Sequence, residues 1–194
     1  MKKLLMLPLV AGLAGCGGAS TSGSNAFGVL INDYTGLLDV VGTPDAPLLA
    51  TTPDEDLPSG EVSYDGVISI SERETPSDPV VFSALGSFSA TVDFANPDGA
   101  TGTGRNFFEI DAAGSPTSAT EGSPISGSLT YSGATDRVTG TLTKLSGEVA
   151  TYDMDISTNP AGPAAEYFAG FGFGTSTADG RDDNQATHVF LGER

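Results

Sequence analysis

Four stretches of the chain alternate residue by residue between apolar and small polar side chains, and that alternation sets the fold class. In Val62 to Ser71 one face carries Val62, Tyr64, Gly66, Ile68 and Ile70, and the other Ser63, Asp65, Val67, Ser69 and Ser71. Ser87 to Phe94 sets Phe88, Ala90, Val92 and Phe94 against Ser87, Ser89, Thr91 and Asp93. Ile125 to Ser132 sets Ile125, Gly127, Leu129 and Tyr131 against Ser126, Ser128, Thr130 and Ser132. Ala150 to Ser157 sets Ala150, Tyr152, Met154 and Ile156 against Thr151, Asp153, Asp155 and Ser157. Successive side chains of a strand point to opposite faces, so each stretch reads as a half-buried β-strand. Four less regular strands are expected over residues 100–110, 137–145, 167–175 and 187–193, which brings the count to eight.

The connections are short and carry turn residues: Asn96-Pro97-Asp98-Gly99, Ser132 to Asp136, Ser146-Gly147 and Ala178-Asp179-Gly180. Short connections imply an antiparallel meander. Gly66, Gly127 and Gly140 fall on the apolar faces, where they permit the bends that closure needs. Closure removes exposed sheet edges. The expectation is an all-β, eight-stranded, antiparallel up-and-down barrel filled by its own side chains. A membrane-spanning barrel would turn an apolar band outward. Here the second face is Ser, Thr and Asp, so the barrel is expected to be soluble.

Composition agrees. The chain has 26 Gly, 12 Pro and no Trp, and periodic runs of helix formers are scarce. Apolar residues make up 38 %, too many for a disordered acidic tail. Residues 27–60 read as a partly ordered segment before the barrel of residues 61–194. In it, Gly28 to Ile31 and Leu37 to Val41 read as one or two strands, and residues 42–60 as a loop with the acidic trio Asp54-Glu55-Asp56.

The N-terminus has a different chemistry. Lys2 and Lys3 precede an apolar run from Leu4 to Leu13, too short to span a bilayer, and Leu13-Ala14-Gly15-Cys16 closes it. The tetrapeptide resembles the lipobox of bacterial lipoproteins. That resemblance implies removal of residues 1–15 as a signal peptide and attachment of acyl chains to the Cys16 thiol. Two or three acyl chains hold a protein stably to a bilayer where one does not. Residues 16–26 then read as the lipidated cysteine and a flexible Gly/Ser tether. Cys16 is the sole cysteine, so no intramolecular disulfide can form. In enteric bacteria an Asp after the lipidated cysteine retains a lipoprotein in the inner membrane; Gly17 stands here instead and points to the outer one. Processing would remove two of the eight basic residues and leave six against 25 acidic ones, a net charge near −19. Such a chain repels nucleic acid. The charge serves solubility or attraction to a basic partner.

The order of motifs from residue 57 to 194 resembles the β-barrel domain of transferrin-binding protein B. Leu57-Pro58-Ser59-Gly60-Glu61-Val62-Ser63-Tyr64-Asp65-Gly66 looks like its opening P-x-x-G-x-x-x-Y-x-G. Ala90 to Phe94 with Gly99 to Gly102 is similar to a strand pair of that family, Val138 to Leu142 suits a later strand, and His188 to Arg194 looks like its closing strand with Leu191 as an extra or shifted residue. The family's F-Y-G-P-x-A motif is replaced by Phe168-Ala169-Gly170-Phe171-Gly172-Phe173-Gly174, and the chain is too short for a two-lobed transferrin binder. The resemblance implies a lipid-anchored eight-stranded barrel that binds host iron proteins, haem proteins or other partners. It does not carry transferrin over as the ligand.

Catalytic chemistry finds little footing. A single histidine, His188, cannot build a triad or a multi-histidine metal site, and reads as a strand residue. Gly102 to Phe107 opens no helix, so a phosphate loop fails its context and a β-bulge fits better. Asp179 to Asn184 offers oxygens for calcium but lacks the EF-hand spacing and carries Arg181; it reads as a solvated hairpin loop. Tyr167, Phe168, Phe171, Phe173 and Phe190 form the richest aromatic stripe, either core or a contact patch. No catalytic residue, metal or cofactor is assigned. The partner-contact candidates are Tyr167, Phe168, Phe171, Asp179, Asp182 and Asp183, and the bilayer is met through Cys16. The leading expectation is a non-enzymatic binding module of the outer membrane with a protein or haem ligand. A structural envelope lipoprotein and a lipocalin-like carrier of an apolar ligand are the alternatives.

Overall fold

The structure, a computed structural model, describes residues 23–43, 46–110, 121–178 and 181–194. Cys16 and the residues before it lie outside the described residues. In chain order the elements are α1 (Gly23–Val41), β1 (Gly42–Thr43), β2 (Ala46–Pro47), β3 (Glu61–Arg73), β4 (Phe82–Asp93), β5 (Thr101–Ile110), β6 (Gly122–Pro124), β7 (Ser126–Ser132), β8 (Arg137–Thr143), β9 (Val149–Ala161), β10 (Tyr167–Ala178) and β11 (Arg181–Glu193). The pairing order is β4–β3–β11–β10–β9–β8–β7–β5, and β5 returns to β4. Every pairing is antiparallel. The fold is therefore a closed eight-stranded meander, as the alternation implied. Its ninth strand, β6, is a short piece that pairs with the far end of β5 and is separated from β7 by Ile125 alone.

The expected inward faces are the observed ones. Tyr64, Ile68, Ile70, Phe88, Leu129, Tyr131, Tyr152, Met154, Phe168 and Phe190 fill the interior. Phe88 and Phe190 stack at 4.4 Å between ring centroids, and Phe168 lies 5.4 Å from Phe190. Gly66, Gly127 and Gly140 stand where any Cβ would run into a neighbouring strand's carbonyl oxygen, on Leu191, Thr141 and Ser128 respectively. Their absence of side chain is what lets the strands close. The expected bulge is present too. The β4–β5 register shifts between Leu85 and Ser87, and Asn106 opposite has φ 52°, a left-handed backbone that asparagine tolerates better than most residues.

The first segment departs from expectation. Residues 27–41 are not strands, and the tether does not extend to residue 26; Gly23–Val41 is one 19-residue α-helix. The reason is periodicity. Phe27, Leu30, Tyr34, Leu37 and Val41 recur at steps of three and four, and all five are buried. Read locally, Gly28 to Ile31 and Leu37 to Val41 look like strand runs; read together, they form one helical stripe. That stripe packs on Val67, Leu85, Phe108, Ile110 and Leu191, which face outward from β3, β4, β5 and β11. The helix stops at Gly42, whose φ of 85° is the left-handed turn that commonly ends helices. The Leu48 amide donates to the Val41 carbonyl at 2.9 Å, satisfying one helix-end acceptor.

Residues 46–60 are mostly loop but dock on the barrel. The Thr52 amide donates to the Pro160 carbonyl at 3.0 Å, and its hydroxyl donates to the Gly162 carbonyl at 2.6 Å. Asp54–Asp56 is one turn of 3₁₀-helix with all three side chains exposed. Outward residues of β7, β8 and β9 are mostly Ser, Thr and Asp, with Arg137, Val149 and Asn159 among them, unlike the apolar band of a membrane-spanning barrel. Among the described residues, no helix is long and apolar enough to cross a membrane.

Candidate binding surface

Two built features stand apart from the plain barrel, one on its outer wall and one inside an end. The first is a groove of ≈ 420 Å³ between the C-terminus of α1, the β1–β2 hairpin and the outer faces of β9, β10 and β11. Its floor is Ala169, Phe171, Val189 and Leu191, and its side wall is Val41, Pro47 and Leu49. Ser157 and Asn159 add polar groups from β9. A mostly apolar cleft of this size with a few polar groups is the usual form of a binding site. The register explains the floor. Phe171 pairs with Ser157 on one side and Val189 on the other, and all three point outward. Phe173 continues the same face and is 66 % exposed, so the apolar surface runs beyond the groove.

The residues singled out in the sequence go to different places. Phe168 points inward and packs between Tyr64, Tyr131 and Phe190, so it is core and not a contact residue. Tyr167 faces outward, half-buried against the helix-covered layer. Phe171 lies in the groove. The backbones of Asp182 and Asp183 belong to β11, so the expected solvated loop is strand from residue 181 onward. Asp182 is seven residues along β11 from Val189, roughly 23 Å at ~3.3 Å per residue, so it does not share the groove. Asp179 lies outside the described residues. His188 sits on β11, paired with Gly172 and Ile70.

The second feature escaped the sequence reading. Glu72 is fully buried, at the position where the inward alternation of β3 continues past Ile70. The Tyr152 hydroxyl donates to its carboxylate at 2.5 Å, and the Lys144 ammonium donates to it at 2.9 Å. Lys144 also donates to Glu148 at 2.7 Å and stands 4.8 Å over the Phe82 ring. Burial alone would lower the Lys144 pKa, but the hydrogen bonds and charges of Glu148 and Glu72 more than offset it and hold it above 10.5. Burial, then the Glu72 charge, push the Tyr152 phenol up. The cluster closes one end of the barrel interior as a paired, hydrogen-bonded plug. A charged residue on the core period of β3 was the signal available for it. Among the described residues no group of three or more His, Cys, Asp or Glu side chains is placed to hold a metal.

No protein-family model matches the chain, and no curated protein matches it.

Proposed function

We propose that the chain is a bacterial envelope lipoprotein, anchored through acylated Cys16 at the outer membrane, whose barrel is a non-enzymatic binding module of the transferrin-binding protein B kind. Capture of a partner protein, in the service of iron or haem acquisition, is the role that the resemblance implies and this proposal retains. The observation that carries it is the outer groove. Phe171 is 39 % and Phe173 66 % exposed, and neither side chain is used by the core. Single exposed apolar residues need no account, but a contiguous apolar surface beside a formed cleft is characteristic of contact sites. The eight-stranded barrel is what the resemblance implies and supports it to that extent. A carrier of an apolar ligand needs interior space, where Tyr64, Phe88, Phe168 and Phe190 are packed; this favours binding at the outer wall.

Metabolic labelling with an alkyne palmitate tests the anchor: the wild-type chain takes label into the membrane fraction, and Cys16→Ser loses both label and attachment. Membrane attachment unchanged in Cys16→Ser overturns the anchor. For the module, a photo-crosslinking side chain at position 173 on intact cells yields a discrete protein adduct, and Phe171→Ser removes it. Absence of any adduct, with or without haem supplied, sinks the binding reading.

A further inference from the structure

Helix α1 runs along the wall from one end of the barrel towards the other. Its start lies where β5 ends and β6 begins: the Phe27 ring is 5.6 Å from Phe108, and a Cβ on Gly122 would run into it. Its last residue, Val41, lines the groove with Ala161 and Leu191, close to the opposite ends of β9 and β11. Seven residue steps separate Cys16 from Gly23, and they reach at most about 25 Å. The helix itself has 19 residues and is about 28 Å long. A lipid on Cys16 therefore keeps the Phe27 end near the bilayer and lets the Val41 end stand away from it.

The Phe27 end is also where the barrel carries apolar side chains on its turns. Val81 precedes β4, Leu145 lies in the β8–β9 turn and Val149 opens β9; they are 46 %, 58 % and 49 % exposed. Val81 and Leu145 line one shallow cleft with Gly122, the residue against Phe27. The β8–β9 turn is pinned from within. Lys144 reaches down to Glu72, and the Leu145 amide donates to the Glu109 carboxylate at 2.7 Å. Leu145 is thus held outward by its own backbone. At the opposite end the turns at residues 94–100, 133–136 and 162–166 carry no exposed Val, Leu, Ile, Met or Phe among the described residues. Scattered exposed apolar residues are ordinary, but three on the turns of the tethered end and none on those of the far end are an asymmetry.

We propose that this end of the barrel docks on the bilayer that holds Cys16, with Val81, Leu145 and Val149 entering a zwitterionic headgroup layer and the groove standing on the side away from the membrane. The proposal rests on the reading of Cys16 as the anchor. Three side chains are too few to hold a bilayer alone. The tether makes their contact intramolecular, so a weak contact forms at high effective concentration. Their burial then adds to the binding supplied by the acyl chains. Charge selects the lipid. Glu109 and Glu121 line the same cleft, and Glu148 stands beside it with Lys144, so anionic headgroups are repelled.

The test uses the lipidated full chain in phosphatidylcholine vesicles. Cys16 is the sole cysteine and the lipid occupies its thiol, so an introduced cysteine is the one labelling site. A fluorophore is placed at Ser146→Cys in the exposed β8–β9 turn, at Asp98→Cys in the exposed β4–β5 turn of the far end, or at Phe173→Cys on the wall. A spin label on the lipid headgroups quenches the fluorophore at 146 and leaves those at 98 and 173 bright. Adding Val81→Ser, Leu145→Ser and Val149→Ser together lowers the quenching at 146 by at least about half. All three sites are exposed, so circular dichroism stays unchanged. Phosphatidylglycerol mixed into the vesicles lowers the quenching too, and less so in high salt. Equal quenching at 146 and 98, stronger quenching at 173 than at 146, or quenching at 146 unmoved by the triple substitution overturns the docked end. Quenching raised by phosphatidylglycerol overturns the zwitterionic assignment. Flotation with the vesicles separates docking from anchoring: a chain that floats but gives one of these results keeps its anchor and loses its docking, and a chain that does not float loses both.

Discussion

The inner core and the layer beneath α1 are both apolar, both built on the same strands, and organised on different periods. Inside the barrel each strand contributes every second residue, and the set is closed by geometry: Tyr64, Phe88, Leu129, Met154 and Phe190 have nowhere else to point. Outside, the outward Phe171 and Phe173 of β10 stay exposed, whereas the buried apolar residues lie on β3, β4, β5 and β11, at Val67, Leu85, Phe108, Ile110 and Leu191. They are buried because a helix from another part of the chain lies over them. Among the described residues no helix covers β7, β8 and β9, and their outward residues are polar but for a few such as the exposed Val149. Strands apolar on both faces mark a covered wall.

The comparison breaks most visibly if the inner core is cut. Phe190→Ala removes a fully buried ring stacked on Phe88 and should cost about 4 kcal/mol, measured by urea unfolding with an unchanged slope. A loss below 1 kcal/mol would mean that the interior is not close-packed. Lys144→Met comes next, at about 3 kcal/mol, because it takes the Lys144 ammonium away from the buried Glu72 carboxylate. The pH profile follows from the same cluster. The folded-state pKa values of Lys144 and Tyr152 both lie above their ordinary 10.5 and 10.0, so the folded chain holds these protons more tightly than the unfolded one. The stabilisation is complete below about pH 10 and is lost as pH rises beyond it. Alkaline unfolding should therefore be steep in the wild type and shallower in a Lys144→Met, Tyr152→Phe double variant. Equal slopes would remove the cluster from the account.

How far the sequence could be read follows the same division. The barrel was legible because a period of two needs only a few residues to declare itself, and Ser87 to Phe94 or Ala150 to Ile156 supply it without exception. Helix α1 was not. Its stripe from Phe27 to Val41 is spread over 15 positions, and the two glycines within that stretch, Gly28 and Gly36, lower its propensity. Val67 stood as the one apolar residue of a polar face, and the helix gives it a partner. The groove lies between these two periods. Phe171 could be named from the aromatic stripe, but Phe168, one residue earlier in a list of similar residues, is core because its side chain points the other way. Val41, Pro47 and Leu49 were invisible as lining residues because only the docking of α1 and its hairpin brings them to the wall. Asp182 and Asp183 share a hairpin with the aromatic stripe in sequence and are far from Phe171 along the ladder.

Smaller effects sharpen the contrast between covered and bare wall. Leu37→Ala, in the middle of the helix stripe, should cost about 2 kcal/mol, the low end for a buried leucine, since the helix edge can settle into the space. It should also raise amide exchange in α1 more than in β8 or β9, because the helix is held only by this outer layer. Uniform exchange across α1 and the barrel would mean that helix and barrel open as one unit. Thr139→Val on the bare wall is the counterpart. Thr139 is exposed, pairs with Thr130 and Asp153, and keeps its branched β-carbon on substitution. A change within about 0.5 kcal/mol is expected, as for surface sites with no special partner. A loss comparable to that of Leu37→Ala would show that something covers β7–β9 as α1 covers β3 and β4, and that the two walls are not different after all.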